Sequence, residues 1–266
     1  MAARVTRGWG RALAALLVGG LVAAVMVLLR PKRLAAKKAK KKDKTGAIAD
    51  ATIEIQKGSG SGRKKSFSAT QKLDLKSDSA TASFDVKFDK GFDKNCNGKI
   101  GGLFIGKGKA SGGKNSDDGA SVRFNWAGAG GAFAYVYTPK GTGSQQKGEL
   151  QKEKQVKLFR KEMSDALAGD GFHNVELGVK LNSVSGGRAN NDGTLTLKVK
   201  GQDGKVRTAS QDGIVWRKNA GVTFDKLQIQ PFHGGGSAKC KAAQANSTMQ
   251  IKNAKVTAGG GAKTKK

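Results

Sequence analysis

Beyond residue 48, apolar and polar side chains alternate with a period of two through most of the chain. Ala82, Phe84, Val86 and Phe88 interleave with Ser83, Asp85, Lys87 and Asp89. Val175, Leu177, Val179 and Leu181 interleave with Glu176, Gly178, Lys180 and Asn182, and shorter runs follow at 195–199 and 227–230. Successive side chains of a strand point to opposite faces, so the pattern predicts strands with one face on a core and one in water. Turn signals separate the runs: Asn191-Asp192-Gly193, Asp203-Gly204 and the glycine triplet 234–236. Only 151–168 has a helical flavour. With no βαβ rhythm and no repeat of fixed period, the expected fold is an all-β antiparallel jelly roll, a two-sheet sandwich.

One hairpin gathers unusual chemistry. In its first arm Val122, Phe124 and Trp126 point one way, and Ser121, Arg123 and Asn125 the other. In the second, Phe133, Tyr135 and Tyr137 oppose Ala134 and Val136. A turn centred near Ala129 sets Arg123 opposite Tyr135 and Ser121 opposite Tyr137, with paired Cβ atoms roughly 5 Å apart. The chain has only two tyrosines, and both fall in this patch.

The N-terminal part has a different texture. Residues 12–29 form an uncharged run of 18 after Arg4, Arg7 and Arg11. As a helix it spans about 27 Å, close to the ~30 Å of a bilayer core. With no small-residue cleavage site after it, this hydrophobic helix reads as a signal anchor first and a cleaved signal peptide second. Nine Lys/Arg follow within residues 30–44, a self-repelling tether. The expected organisation is therefore 1–29 anchor or signal peptide, 30–47 Lys-rich linker, 48–257 β domain and 258–266 basic tail. The protein is expected to be membrane-anchored or secreted with its domain facing an extracytoplasmic space, although the Lys-rich flank argues for a cytoplasmic C-terminal side by the positive-inside rule.

Charge narrows the partner. The 266 residues carry 49 Lys/Arg against 20 Asp/Glu, a net +29. Residues 1–45 hold twelve Lys/Arg and one Asp, and with Lys263, Lys265 and Lys266 set aside, residues 46–262 keep +15. Such a domain attracts a polyanion: nucleic acid, anionic lipid or acidic polysaccharide. The two tyrosines sit beside one arginine rather than spread as stacking platforms, which disfavours a specific nucleic-acid groove. Two Cys and two His exclude a Cys-based zinc site and a His-rich metal centre, so no metal or cofactor is expected. A β-elimination on a uronic-acid polymer suits the patch. Removing the C5 proton leaves an enediolate, which Arg or Lys neutralises; a base takes that proton and an acid protonates the leaving O4. Neighbouring cations favour a phenolate, so a Tyr–Arg–Lys site needs no metal.

These residues carry a resemblance to a known family. Asn97-Gly98-Lys99-Ile100-Gly101-Gly102-Leu103, the Ser121-x-Arg123 and Tyr135-x-Tyr137 strands, Val179-Lys180-Leu181-Asn182 and Phe232-His233-Gly234-Gly235 occur in that order. The set is similar to the fourteenth polysaccharide lyase family, the jelly-roll alginate and polyuronate lyases, from about Ser79 to Val256. The resemblance implies a polysaccharide lyase acting on alginate or a glucuronate-containing glycan without a metal. It implies Lys99, Arg123, Tyr135 and Tyr137 as catalytic residues, and Ser121, Asn125 and His233 as substrate contacts. A non-catalytic carbohydrate-binding jelly roll for acidic glycans is the alternative. Gly101 stands where the family has Pro, and 151–170 reads as a charged insertion. The expected partners are an anionic polysaccharide and, through residues 12–29, a membrane; the chain is expected to be monomeric.

Four lesser features complete the reading. His173, at a strand start, reads as a surface residue. His233 is either a sugar contact or loop decoration. Cys96 and Cys240 lie near segments that the resemblance sets by the cleft, and whether they pair is left open. Asn246-Ser247-Thr248 is a lone glycosylation sequon.

Overall fold

The computed structural model describes residues 46–60, 67–94, 96–142, 144–146, 149–151, 156–234, 240 and 242–259, with the side chains of 144–156 left aside. The apolar run 12–29, the Lys-rich linker up to residue 45 and the tail beyond 259 lie outside them. Among the described residues no helix is long and apolar enough to cross a membrane.

Two antiparallel sheets face each other. The larger has eight strands in the order Ala51–Ile55, Ser247–Ala258, Ser79–Phe88, His173–Lys180, Gly193–Lys200, Val206–Ile214, Ser144–Gln146 and Glu149–Gln151. The smaller has six: Val156–Leu158, Ala132–Tyr137, Ala120–Trp126, Gly98–Ile105, Phe224–His233 and Ala69–Lys72. Neighbouring strands are mostly far apart in sequence, the connectivity of a jelly roll.

The alternating residues do what their period requires. Ala82, Phe84, Val86 and Phe88, with Val175, Leu177, Leu197 and Val199, bury the inner face of the larger sheet. Ile100, Leu103, Val122, Phe124, Val136, Leu227 and Ile229 bury that of the smaller. Phe84 meets Phe124 edge to face, ring centroids 5.9 Å apart, across the interface. The outer face of the smaller sheet remains for chemistry.

Two expectations need correction. The described part of 151–168 is not helical: Val156–Leu158 is an edge strand, and a run of turns follows over 160–167. Phe159 takes φ 71°, a left-handed conformation that ends the strand. The segment closes single turns, Met163 N–H to Phe159 O and Ala168 N–H to Asp165 O, and is tied sideways to the hairpin by Ala132 N–H to Met163 O and Leu167 N–H to Gly130 O. His173 is not a surface residue. It pairs with Val86 and is fully buried on the core side of its strand, where burial holds its pKa below the usual histidine value.

Candidate active site

The hairpin register is the one its symmetry predicts. Ser121 pairs with Tyr137, Arg123 with Tyr135 and Asn125 with Phe133, around a tight turn over Gly128–Gly130 in which Ala129 adopts φ 59°. The neighbouring strand Gly98–Ile105 adds Lys99 opposite Asn125 and Gly102 opposite Arg123. Three rows of side chains therefore cross the outer face of the smaller sheet. One reads Lys72, Lys226, Phe104, Ser121, Tyr137; the next Thr70, Gln228, Gly102, Arg123, Tyr135, Lys157; the third Phe232, Lys99, Asn125, Phe133.

Lys99 and Phe104 both face this side although an odd number of positions separates them. The ladder slips between Lys99 and Gly101, and this bulge restores Leu103 to the core while leaving both residues outward. A second slip, between Ile229 and Phe232, turns Phe232 toward Lys99. The Lys99 ammonium lies 4.4 Å from the Tyr135 ring centroid, 5.6 Å from Phe232 and 6.0 Å from Tyr137.

Arg123 is the electrostatic centre. Its guanidinium carbon lies 5.1 Å from the Tyr137 ring, 5.6 Å from Phe104 and 5.9 Å from Tyr135. The residue is only 7% exposed, and its Nε and Nη2 have no hydrogen-bond partner among the described residues. Burial draws its pKa down, against the pull of the two phenols, yet a guanidinium does not lose its proton in a protein. A buried cation with unmatched donors is costly unless an anion meets it. Beside it, Asn125 Oδ1 is also buried and unbonded.

The two phenols differ. Tyr137 is 1% exposed, and its oxygen accepts the Gly113 N–H at 3.0 Å from a small hairpin in which Ala110–Ser111 pairs with Lys114–Asn115. Tyr135 is partly exposed, and its ring meets that of Tyr137 edge-on at 5.4 Å. Burial and then the neighbouring phenol push the Tyr135 pKa above the usual phenol value, and Arg123 opposes this without reversing it. Cation proximity alone pointed the other way.

Two expected contacts sit elsewhere. Ser121 is fully buried, and its hydroxyl donates to Ala110 O at 2.6 Å, tying the small hairpin to the sheet. His233, 1% exposed, faces the core, stacked on Phe92 at 5.6 Å and edge-on to Trp126 at 5.2 Å. The slip that turns Phe232 outward turns His233 inward, and the hairpin that carries Ala110 covers Ser121 on the outer face, so neither is exposed at the cleft surface. Cys96 and Cys240 form a disulfide, closing the chain just before the Lys99 strand onto the chain beyond His233. Phe104, Phe232, Lys226, Lys157 and Arg160 line the face as well. Arg160 lies 5.5 Å over the Phe133 ring and donates to Asn97 Oδ1 at 3.3 Å.

The outer face of the smaller sheet of this jelly-roll sandwich is thus a trough lined by cations and walled by aromatic rings. The sequence profile of polysaccharide lyase 14 matches residues 47–253, and the chain belongs to that family. It is 29% identical over 206 residues to exolysin of Paramecium bursaria Chlorella virus 1, an alignment covering 68% of this chain and 30% of exolysin. The chain thus spans about a third of the length of that relative. Among solved structures it resembles the alginate lyase vAL-1 from Chlorella virus, with a TM-score of 0.70 and 24% identity over 81% of this chain and 89% of that one. The marine alginate lyase of Aplysia kurodai gives 0.66 and 22%, over 79% and 83%.

Proposed function

We propose that this protein is a polysaccharide lyase that cleaves a uronic-acid polymer, alginate or a glucuronate-containing glycan, by β-elimination. The observation that carries the reading is Arg123, a buried guanidinium with two unmatched nitrogens beside a half-buried phenol. Family membership and the alginate lyases of the same fold support it.

The chemistry needs charge balance at the sugar carboxylate. Arg123 and Lys99 receive that carboxylate and stabilise the enediolate formed as C5 loses its proton. Tyr135 is the phenol that the trough exposes. In its ionised form it takes the C5 proton; the C4–O4 bond then breaks, and the same phenol returns the proton to the departing O4. Proton and electron pair balance on one side chain. Tyr137, held by the Gly113 amide, fixes the Tyr135 ring and the electrostatics beneath it.

The test is direct. The purified chain, incubated with mannuronate-rich, guluronate-rich and glucuronate polymers, should produce the ultraviolet absorbance of the new C4–C5 double bond. Retention of polymer with no absorbance from any of the three would overturn the lyase reading in favour of a binding protein on the same scaffold.

We infer further that residues 12–29 anchor the chain and leave the sandwich in an extracytoplasmic space, where such glycans are met. Protease protection in sealed vesicles checks this; digestion of the sandwich from the cytoplasmic side would show the opposite orientation.

A further inference from the structure

The cations of the trough are not scattered. In sheet order, Lys157 lies on the first strand, Arg123 on the third, Lys99 on the fourth, Lys226 on the fifth and Lys72 on the sixth. The strand between Lys157 and Arg123 carries the tyrosines and no cation. Arg123 is therefore two strand spacings from Lys157 on one side and two from Lys226 on the other, roughly 10 Å each way.

Both flanks carry the marks of anion sites. Lys72 and Lys226 are direct cross-strand partners; Asp225, 3.7 Å from the Lys226 ammonium, offsets one of the two charges, and the exposed Lys72 beside it leaves a net positive pair that a further anion would stabilise. On the opposite flank Lys157 is exposed, in register with Tyr135. Arg160 follows it, resting on Phe133. The turns that carry Arg160 are held from several sides. Met163 is buried in the core, Arg207 grips Asp165 through two 2.8 Å hydrogen bonds, and Lys94 donates to Leu167 O and Gly169 O. A charged stretch so restrained is a wall, with its cations pre-set rather than recruited by the ligand.

We propose that the pairs Lys157–Arg160 and Lys72–Lys226 are flanking carboxylate subsites, each gripping a uronate two sugars from the one bound at Arg123. An extended 1,4-linked chain turns successive sugars to opposite sides, so the side facing the sheet shows a carboxylate at every second sugar. That repeat matches the two-strand interval between the cation groups. The trough floor allows the passage: Gly102 lies between Arg123 and Gln228 and raises no side chain there. The proposal rests on the lyase reading for its reacting centre and extends it to substrate length. The protein selects long acidic chains that reach from the centre to a flank, by binding rather than by rate.

The experiment uses the full chain and two double variants, Lys157→Gln/Arg160→Gln and Lys72→Gln/Lys226→Gln, against uronate oligosaccharides from dimer to octamer and the parent polymer. All four positions are at the surface or rim, so folding is checked simply by an unchanged circular dichroism spectrum and melting curve. On polymer each double variant should raise KM roughly tenfold, the scale of one lost charge-assisted contact, with a much smaller change in kcat. The KM ratio of variant to parent should shrink toward one for the dimer, which cannot reach either flank, and KM should rise less steeply with salt than in the parent. A ratio independent of chain length, or kcat falling while KM holds, would overturn the proposal. If the parent makes no unsaturated product at all, the lyase reading fails by itself. Equilibrium binding of fluorescently labelled oligomers then still reads the flanks, and equal affinity of parent and variants for the octamer would sink them.

Discussion

Arg123 and Tyr135 share a row, yet the same burial acts on them in opposite ways. Arg123 stays charged and lacks partners for two nitrogens, so removing it takes away the group prepared for the substrate carboxylate. Arg123→Ala should lower kcat/KM by roughly 10²–10³, the scale of losing one preorganised donor to a developing anion. Lys99→Ala should fall in the same range, since Lys99 lies 4.4 Å from the ring of the reacting phenol. Tyr135→Phe should abolish elimination with the fold intact, whereas Tyr137→Phe, which removes the acceptor of the Gly113 amide and the hydroxyl beside Arg123 and Tyr135, should retain part of it. The pKa direction adds a second readout. Burial raises the Tyr135 pKa above that of a free phenol, and the proposed base is the ionised form. The reactive fraction is therefore small at neutral pH and grows as pH rises. The kcat/KM of the parent should climb roughly tenfold per pH unit from neutral into the alkaline range. A plateau near neutral pH would move the base role away from Tyr135.

At the scale of elements, bulges decide which residues meet. The facing of Arg123, Asn125, Tyr135 and Tyr137 was legible in the sequence because period-two parity holds through an uninterrupted hairpin. Parity fails where the ladder slips. The slip after Lys99 brings Lys99 and Phe104 to one face, and the slip before Phe232 sends His233 to the core, so alternation alone could not sort either strand. The cation wall at 157–160 was hidden for a related reason. The stretch read as a charged insertion with a helical flavour, while the apolar residues that anchor it, Leu158, Met163 and Leu167, are buried in the core of the sandwich. His173 was misplaced because a strand start with an exposed Phe172 beside it looks like surface. Gly98 shows how tightly the Lys99 strand is set. It lies against the Trp126 indole, and a β-carbon there would overlap the ring. Gly98→Ala should thus destabilise the protein by about 1–3 kcal/mol or more, the cost of overpacking. By displacing Lys99 it should also reduce kcat/KM in the fraction that remains folded. Urea unfolding and steady-state kinetics on one preparation separate the two effects.

The whole molecule adds constraints that no single sheet supplies. His173 and His233 are both buried, and burial lowers both pKa values below the ordinary histidine value of 6.5. The unfolded chain therefore binds their protons more readily than the fold. Stability is fully present above the unfolded value and declines as pH falls below it toward the folded values. The melting temperature should drop on acidification from about pH 7 to 5, a range set by the unfolded histidine value, and a His173→Gln/His233→Gln variant should show a flatter profile. The disulfide acts on the same region by another route. Cys96 and Cys240 are 144 positions apart in sequence, so their bond forbids the unfolded chain a large set of conformations, an effect of about 2–4 kcal/mol in typical proteins. It also joins the chain entering the Lys99 strand to the chain leaving the Phe232 strand, the two bulged strands of the trough. Reduction, or Cys96→Ser/Cys240→Ser, should therefore lower the melting temperature by several degrees. Because the bond lies at the ends of those two strands, the folded fraction should lose rate at the Lys99 centre. Binding at the far Lys72–Lys226 flank, remote from the disulfide in sheet position, should be largely retained. A uniform loss at both places, in proportion to unfolding, would show that the bond stabilises the sandwich without positioning the trough.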